Sequence, residues 1–133
     1  MEQQGQLMLL RRDPSEAYRR VDFDARVNGA DSRQLVDLCL EQLAGSIGRA
    51  IYADAQGDSA AKSAALTRAV SALTALQLGV DATHPAGEAL LTLYRSAKTS
   101  VLDCVVRFDA ARLSTIRQDF IEIRQAMVSG SVG

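Results

Sequence analysis

The feature that most restricts what this chain can fold into is a succession of four apolar stripes, each at helical spacing. Leu35, Cys39, Leu43, Ile47 and Ala50 recur at steps of three or four residues, and Val36, Leu40 and Ile51 widen that stripe. Leu66, Ala69, Val70, Leu73 and Leu76 form the second, where Ala60, Ala61, Ala64 and Ala65 add helix propensity and permit close approach. The third carries Leu90, Leu93, Tyr94, Ala97, Val101, Cys104 and Val105. The fourth runs through Leu113, Ile116, Phe120, Ile123 and Met127, the alternating three-and-four spacing of a bundle seam. A helix of about 20 residues spans about 30 Å, and short links make sequential helices antiparallel. The expected fold is therefore all-α: an antiparallel up-down four-helix bundle with an N-terminal arm carrying a short helix.

The breaks between stripes set the boundaries. Asp31 or Ser32 opens the first long helix, and Gln56-Gly57-Asp58-Ser59 ends it and caps the second. Gly79 and Asp81-Ala82-Thr83-His84-Pro85 make the next turn. Phe108-Asp109 ends the third helix, with Asp109 as cap of the fourth. Ahead of the bundle, Asp13-Pro14-Ser15-Glu16 is a helix start that supports only a short helix, because Val21 to Val27 alternates apolar and polar before Asn28-Gly29. This reading divides the chain into an arm (1–30), a bundle (31–128) and a flexible tail (129–133).

Composition narrows the function classes. With 133 residues and 47% hydrophobic content, one domain with a real core is expected. Aromatic residues make up 5%, so that core must be built from Leu, Val, Ile and Ala. A net charge of -1 argues against nucleic acid as a partner. No apolar run approaches the length of a membrane span, so no membrane insertion is expected. Cys39 and Cys104 lie far apart without a second Cys or His at metal-ligand spacing, and read as small buried apolar residues in a reducing compartment, the cytoplasm. No metal or cofactor is expected.

Catalytic chemistry finds little footing. His84 is the sole imidazole, and it precedes Pro85 in a turn rather than standing exposed in mid-helix, as a phosphotransfer domain would require. Asp22 and Asp24 flank Phe23 on the arm and read as solvation of an extended strand rather than a cation site or acid–base pair. Ser15, Ser32 and Ser46 have no base in a plausible constellation. The chain is not expected to be an enzyme. Its surplus is apolar: Leu35, Val36, Leu38, Leu40, Leu43 and Ile47 on the first helix, and Leu90, Leu91, Leu93, Tyr94, Leu102, Val105 and Val106 on the third. Such a surplus is either a wide core stripe or a groove for a partner helix.

Ala17-Tyr18-Arg19-Arg20-Val21, Val27 and Ala30-Asp31-Ser32-Arg33-Gln34-Leu35 resemble the N-terminal signature of the flagellin-specific export chaperones, the FliS family. There an Ala-Tyr pair precedes a small-residue helix start followed by an acidic or Gln residue and Leu. Leu93-Tyr94, the position of Asp109, and Ile123, Ala126 and Met127 continue the resemblance over residues 17 to 127. The departures mark a divergent member: Ser32 stands for the family's proline, Arg95-Ser96 for an acidic-aromatic pair, Cys104-Val105 for Ala-Asn, and Met127 for tryptophan. The resemblance implies a cytosolic chaperone that binds the disordered C-terminal segment of flagellin and prevents premature polymerisation, with the flagellar export apparatus as a further partner. A client that orders on binding needs a long apolar track rather than a deep pocket. The expected partner-binding residues are Tyr18, Val21, Phe23, Leu35, Leu90, Leu93, Tyr94 and Val101. The alternative is a regulatory or signalling four-helix module, homodimeric through the same surplus.

Overall fold

Each apolar stripe becomes one α-helix in the computed structural model, which describes residues 32–81 and 83–132. The helices are α1 (Ser32–Ala55), α2 (Ser59–Leu78), α3 (Gly87–Val106) and α4 (Ala110–Val132). They form an all-α four-helix bundle, with no strand among the described residues. The expected arm and its short helix lie outside the described residues. α4 continues through Ser129 to Val132, beyond the boundary at 128 that the small-residue tail suggested. Nothing in that stretch forbids helix: it contains no proline, and Gly130 lowers helix propensity without ending it.

The links follow from local chemistry. α1 stops because Gly57 takes a left-handed conformation (φ 72°), and the Asp58 carboxylate then accepts the Ala61 backbone N–H at 3.0 Å to start α2. α2 ends at Gly79, whose N–H donates to the Ala75 carbonyl. In the next turn the Thr83 hydroxyl and backbone N–H donate to Asp81 Oδ1 at 2.6 and 2.9 Å. These two bonds, hydroxyl first, hold the Asp81 carboxyl below its usual value. The turn then folds so tightly onto α3 that a Cβ at Gly87 would sit 2.6 Å from the Asp81 carbonyl oxygen. At the last link the Asp109 carboxylate accepts the Arg112 backbone N–H at 3.0 Å, the cap expected there.

α1 is the hub. It packs most extensively on α2 and also along α4; α2 in turn packs on α3, while α3 and α4 are the least closely packed of these neighbouring pairs. Leu40, Leu43, Ile47, Leu73, Val101, Leu113 and Phe120 fill the core with essentially no exposure. Each fully buried side chain of this kind contributes about 1.5–3 kcal/mol. α4 is fastened to α1 by arginines. Arg124 Nε donates to Asp37 Oδ1 at 2.7 Å, and its Nη2 donates to Asp37 Oδ2 at 3.1 Å and Glu41 Oε2 at 3.4 Å. Arg117 Nε donates to the Ala44 carbonyl at 3.1 Å, across Gly48, where a Cβ would press on that guanidinium at 3.2 Å. These partly exposed pairs are worth under about 1 kcal/mol each after screening, and serve mainly to set the register of α4 on α1.

Candidate functional site

The apolar surplus of α3 divides in two along the helix. At 100° per residue, Tyr94, Ala97, Val101 and Cys104 point inward, and all four are buried. Leu90 and Leu93 are half-buried and packed against the same core. Leu102, Val105 and Val106 remain on the surface, at 47%, 57% and 91% exposure. Leu91, half-buried, continues their row toward the start of α3. Ser100 and Asp103 mark the side of α3 that faces α4: Arg112 donates to Ser100 Oγ at 2.9 Å and to Asp103 Oδ2 at 3.4 Å. Leu102 and Val106, one turn apart, lie on the other side.

Side chains rather than backbones close the space between α3 and α4. The Tyr94 and Phe120 rings stack with centroids 6.1 Å apart and planes 20° from parallel. Burial, with a smaller contribution from Cys39, pushes the Tyr94 phenol up from its ordinary value, and burial raises the Cys39 thiol as well. At the far end Lys62 of α2 lies 5.0 Å from the centre of the Phe108 ring and pairs with Asp54 of α1 at 2.9 Å, tying the α3–α4 link to the α1–α2 turn.

Leu90, Leu93, Tyr94 and Val101, picked out from sequence, are thus brought into one cluster, but Tyr94 and Val101 sit inside it at 3% and 0% exposure. Leu35 is half-buried at the start of α1. Tyr18, Val21 and Phe23 lie outside the described residues. Leu102, Val105 and Val106 were visible in the sequence as part of the α3 surplus, yet periodicity alone did not separate them from the core row. Met127, read from sequence as the last member of the α4 stripe, is instead 39% exposed, and exposed Val128 beside it, Tyr52 near the end of α1 and Leu78 at the end of α2 were not singled out.

His84 lies exposed in the α2–α3 turn, where its Nδ1 accepts the Ala86 N–H at 3.0 Å. Cys39 and Cys104 are free and buried. Among the described residues there is no group of three or more His, Cys, Asp or Glu able to hold a metal ion, and no helix long and apolar enough to cross a membrane.

The fold defines the class, an all-α four-helix bundle, and one of its helices carries an apolar row on its surface. The particular family is shown by its sequence model: flagellar protein FliS matches residues 14–129, and the chain belongs to that family of flagellar export chaperones. No curated protein matches the chain.

Proposed function

We propose that this protein is a cytoplasmic chaperone for flagellin, holding the disordered C-terminal segment of the client before flagellar export and delivering it to the export apparatus. The observation that carries this reading is the exposed row Leu102, Val105 and Val106 on a FliS-family bundle. A segment that becomes helical on binding can lay an apolar face along such a row, with half-buried Leu91 extending it toward the start of α3 and Leu90 and Leu93 packed beneath it on the core. Tyr94 and Val101 act beneath the surface, setting the shape of the helix that carries the row. The role involves binding and release, with no bond made or broken.

Calorimetric titration of the full-length protein with the C-terminal peptide of its own organism's flagellin tests this. Micromolar or tighter binding is expected, weakened at least about tenfold by Leu102→Ser combined with Val106→Ser, with the melting temperature nearly unchanged. Absence of binding would refute the client. A concentration-independent dimer in light scattering that ignores flagellin would favour a regulatory module instead.

A further inference from the structure

α3 carries two seams side by side. Leu90, Tyr94, Ala97, Val101 and Cys104 follow one another at steps of four, three, four and three residues, and this seam is packed into the core. One residue further on, Leu91, Arg95, Lys98, Leu102 and Val105 repeat the same steps. At 100° per residue the second seam lies about a quarter-turn around the helix from the first. It runs on the side away from Ser100 and Asp103, where Arg112 of α4 is held. Leu91 and Lys98 are half-buried, and Arg95, Leu102 and Val105 are exposed. Spacing of this kind is what one helix offers another to pack against.

The middle of the second seam is charged. Arg95 and Lys98, one turn apart, separate Leu91 from Leu102 and Val105. Neither cation forms an ion pair among the described residues. The neighbouring carboxylates explain why. Asp103 is taken by Arg112 at 3.4 Å. Glu88 stands two turns before Arg95, about 10 Å along the axis. α2, the helix that packs on α3 from the other side, contains no Asp or Glu. The seam is thus locally positive in a chain whose net charge is -1. Two cations set among apolar side chains do not suit a lipid surface, which is met by clusters of about four to eight basic residues.

Resting on the reading of this face as the client surface, we propose that the client segment is acidic in its middle. Two of its carboxylates, three or four residues apart on one helical face, lie against Arg95 and Lys98. Apolar side chains beyond them cover Leu91 at one end and Leu102 and Val105 at the other. From Leu91 to Val105 α3 rises about 21 Å, which calls for a partner helix of about four turns. The apolar ends supply most of the affinity. The charged middle selects the partner and fixes its register, because a segment with lysines there is repelled.

Two synthetic helical peptides test this. They share one apolar face of leucines and differ only at two positions in its middle, Glu in one and Lys in the other. The full-length protein should bind the Glu peptide at least about tenfold more tightly at low salt, with the gap narrowing as ionic strength rises. Arg95→Glu combined with Lys98→Glu should reverse the preference. If that double variant melts early, Arg95→Glu alone, at an exposed position, should still narrow the gap at least about threefold. Equal affinity of the parent for both peptides, binding of neither, or a double variant that keeps the parent's preference would overturn the proposal. So would sedimentation with phosphatidylserine vesicles, or a dimer in light scattering, that the same double variant abolishes. The flagellin peptide separates this question from the identity of the client. If flagellin binds parent and double variant alike, the client stands and the acidic middle falls. If it binds neither while the Glu peptide is preferred, the acidic seam stands with another client.

Discussion

α1 and α3 carry similar apolar surpluses and end in different places. On α1 the surplus is taken up: Leu38, Leu40, Leu43 and Ile47 are buried, and Leu35 and Val36 half-buried. On α3 it is taken up only along the row of Tyr94, Ala97, Val101 and Cys104, while Leu102, Val105 and Val106 stay on the surface. The difference lies in the neighbours. α1 is the hub of the bundle, while α3 leans mainly on α2 and meets α4 through long side chains. A helix can be apolar over half its circumference either because it is surrounded or because it waits for something, and only the packing distinguishes the two.

The contrast can be broken most decisively by paired truncations. Leu43→Ala should cost about 2–5 kcal/mol in denaturant unfolding, because a fully buried side chain leaves a cavity. Leu102→Ala should cost under about 0.5 kcal/mol, as surface changes do. Similar losses at the two sites would mean that the α3 row is structural after all. A smaller effect separates local signals from packing. Asp58→Ala and Asp109→Ala should each cost about 1 kcal/mol, because each removes one side-chain bond to a helix N–H whichever helix follows. A much larger loss at Asp109 would show that the α3–α4 link does more than start a helix.

The smallest effect is in pH. The Asp81 carboxyl is held below its ordinary value, so the folded state favours its charged form. Its contribution is therefore present above the ordinary carboxylate range and is lost as pH falls through the depressed value. In an NMR titration Asp81 should change later on acidification than a model aspartate, and Asp81→Asn should remove that part of the acid dependence. An Asp81 titrating like a model aspartate would mean that the Thr83 bonds do not hold the turn in solution.

What the sequence made legible was whatever depends on near neighbours in the chain. The four stripes, the breaks at Gly57 and Gly79, and the caps Asp58 and Asp109 follow from spacing and local hydrogen bonding, and all are found where expected. The resemblance carried by Tyr18 to Leu35 led to the right family, because that stretch reads as a motif without any fold in hand. Long-range relations were hidden. Tyr94 and Val101 share a row with Leu90, and nothing in their spacing says that two of them lie under the surface. Nothing in the spacing of Arg68, a charge on an alanine-rich helix, shows that it is enclosed. Arg117 and Arg124 gave no signal, since their partners Ala44, Asp37 and Glu41 stand far away in the chain.

The placement of α4 against α1 has a consequence for how the molecule is made. α1 and α2 are joined by a tight turn and can pair as soon as both have left the ribosome, because their contacts are local. Of the four helices α4 is synthesised last, and its main landing place is α1. Until α4 arrives, Gly48 and Ala44 lack their contact with Arg117, and the places of Leu113 and Phe120 in the core stand open. Because α4 packs mainly on α1, a chain shortened before Phe120 should keep its local α1–α2 hairpin and lose the packing that closes the bundle.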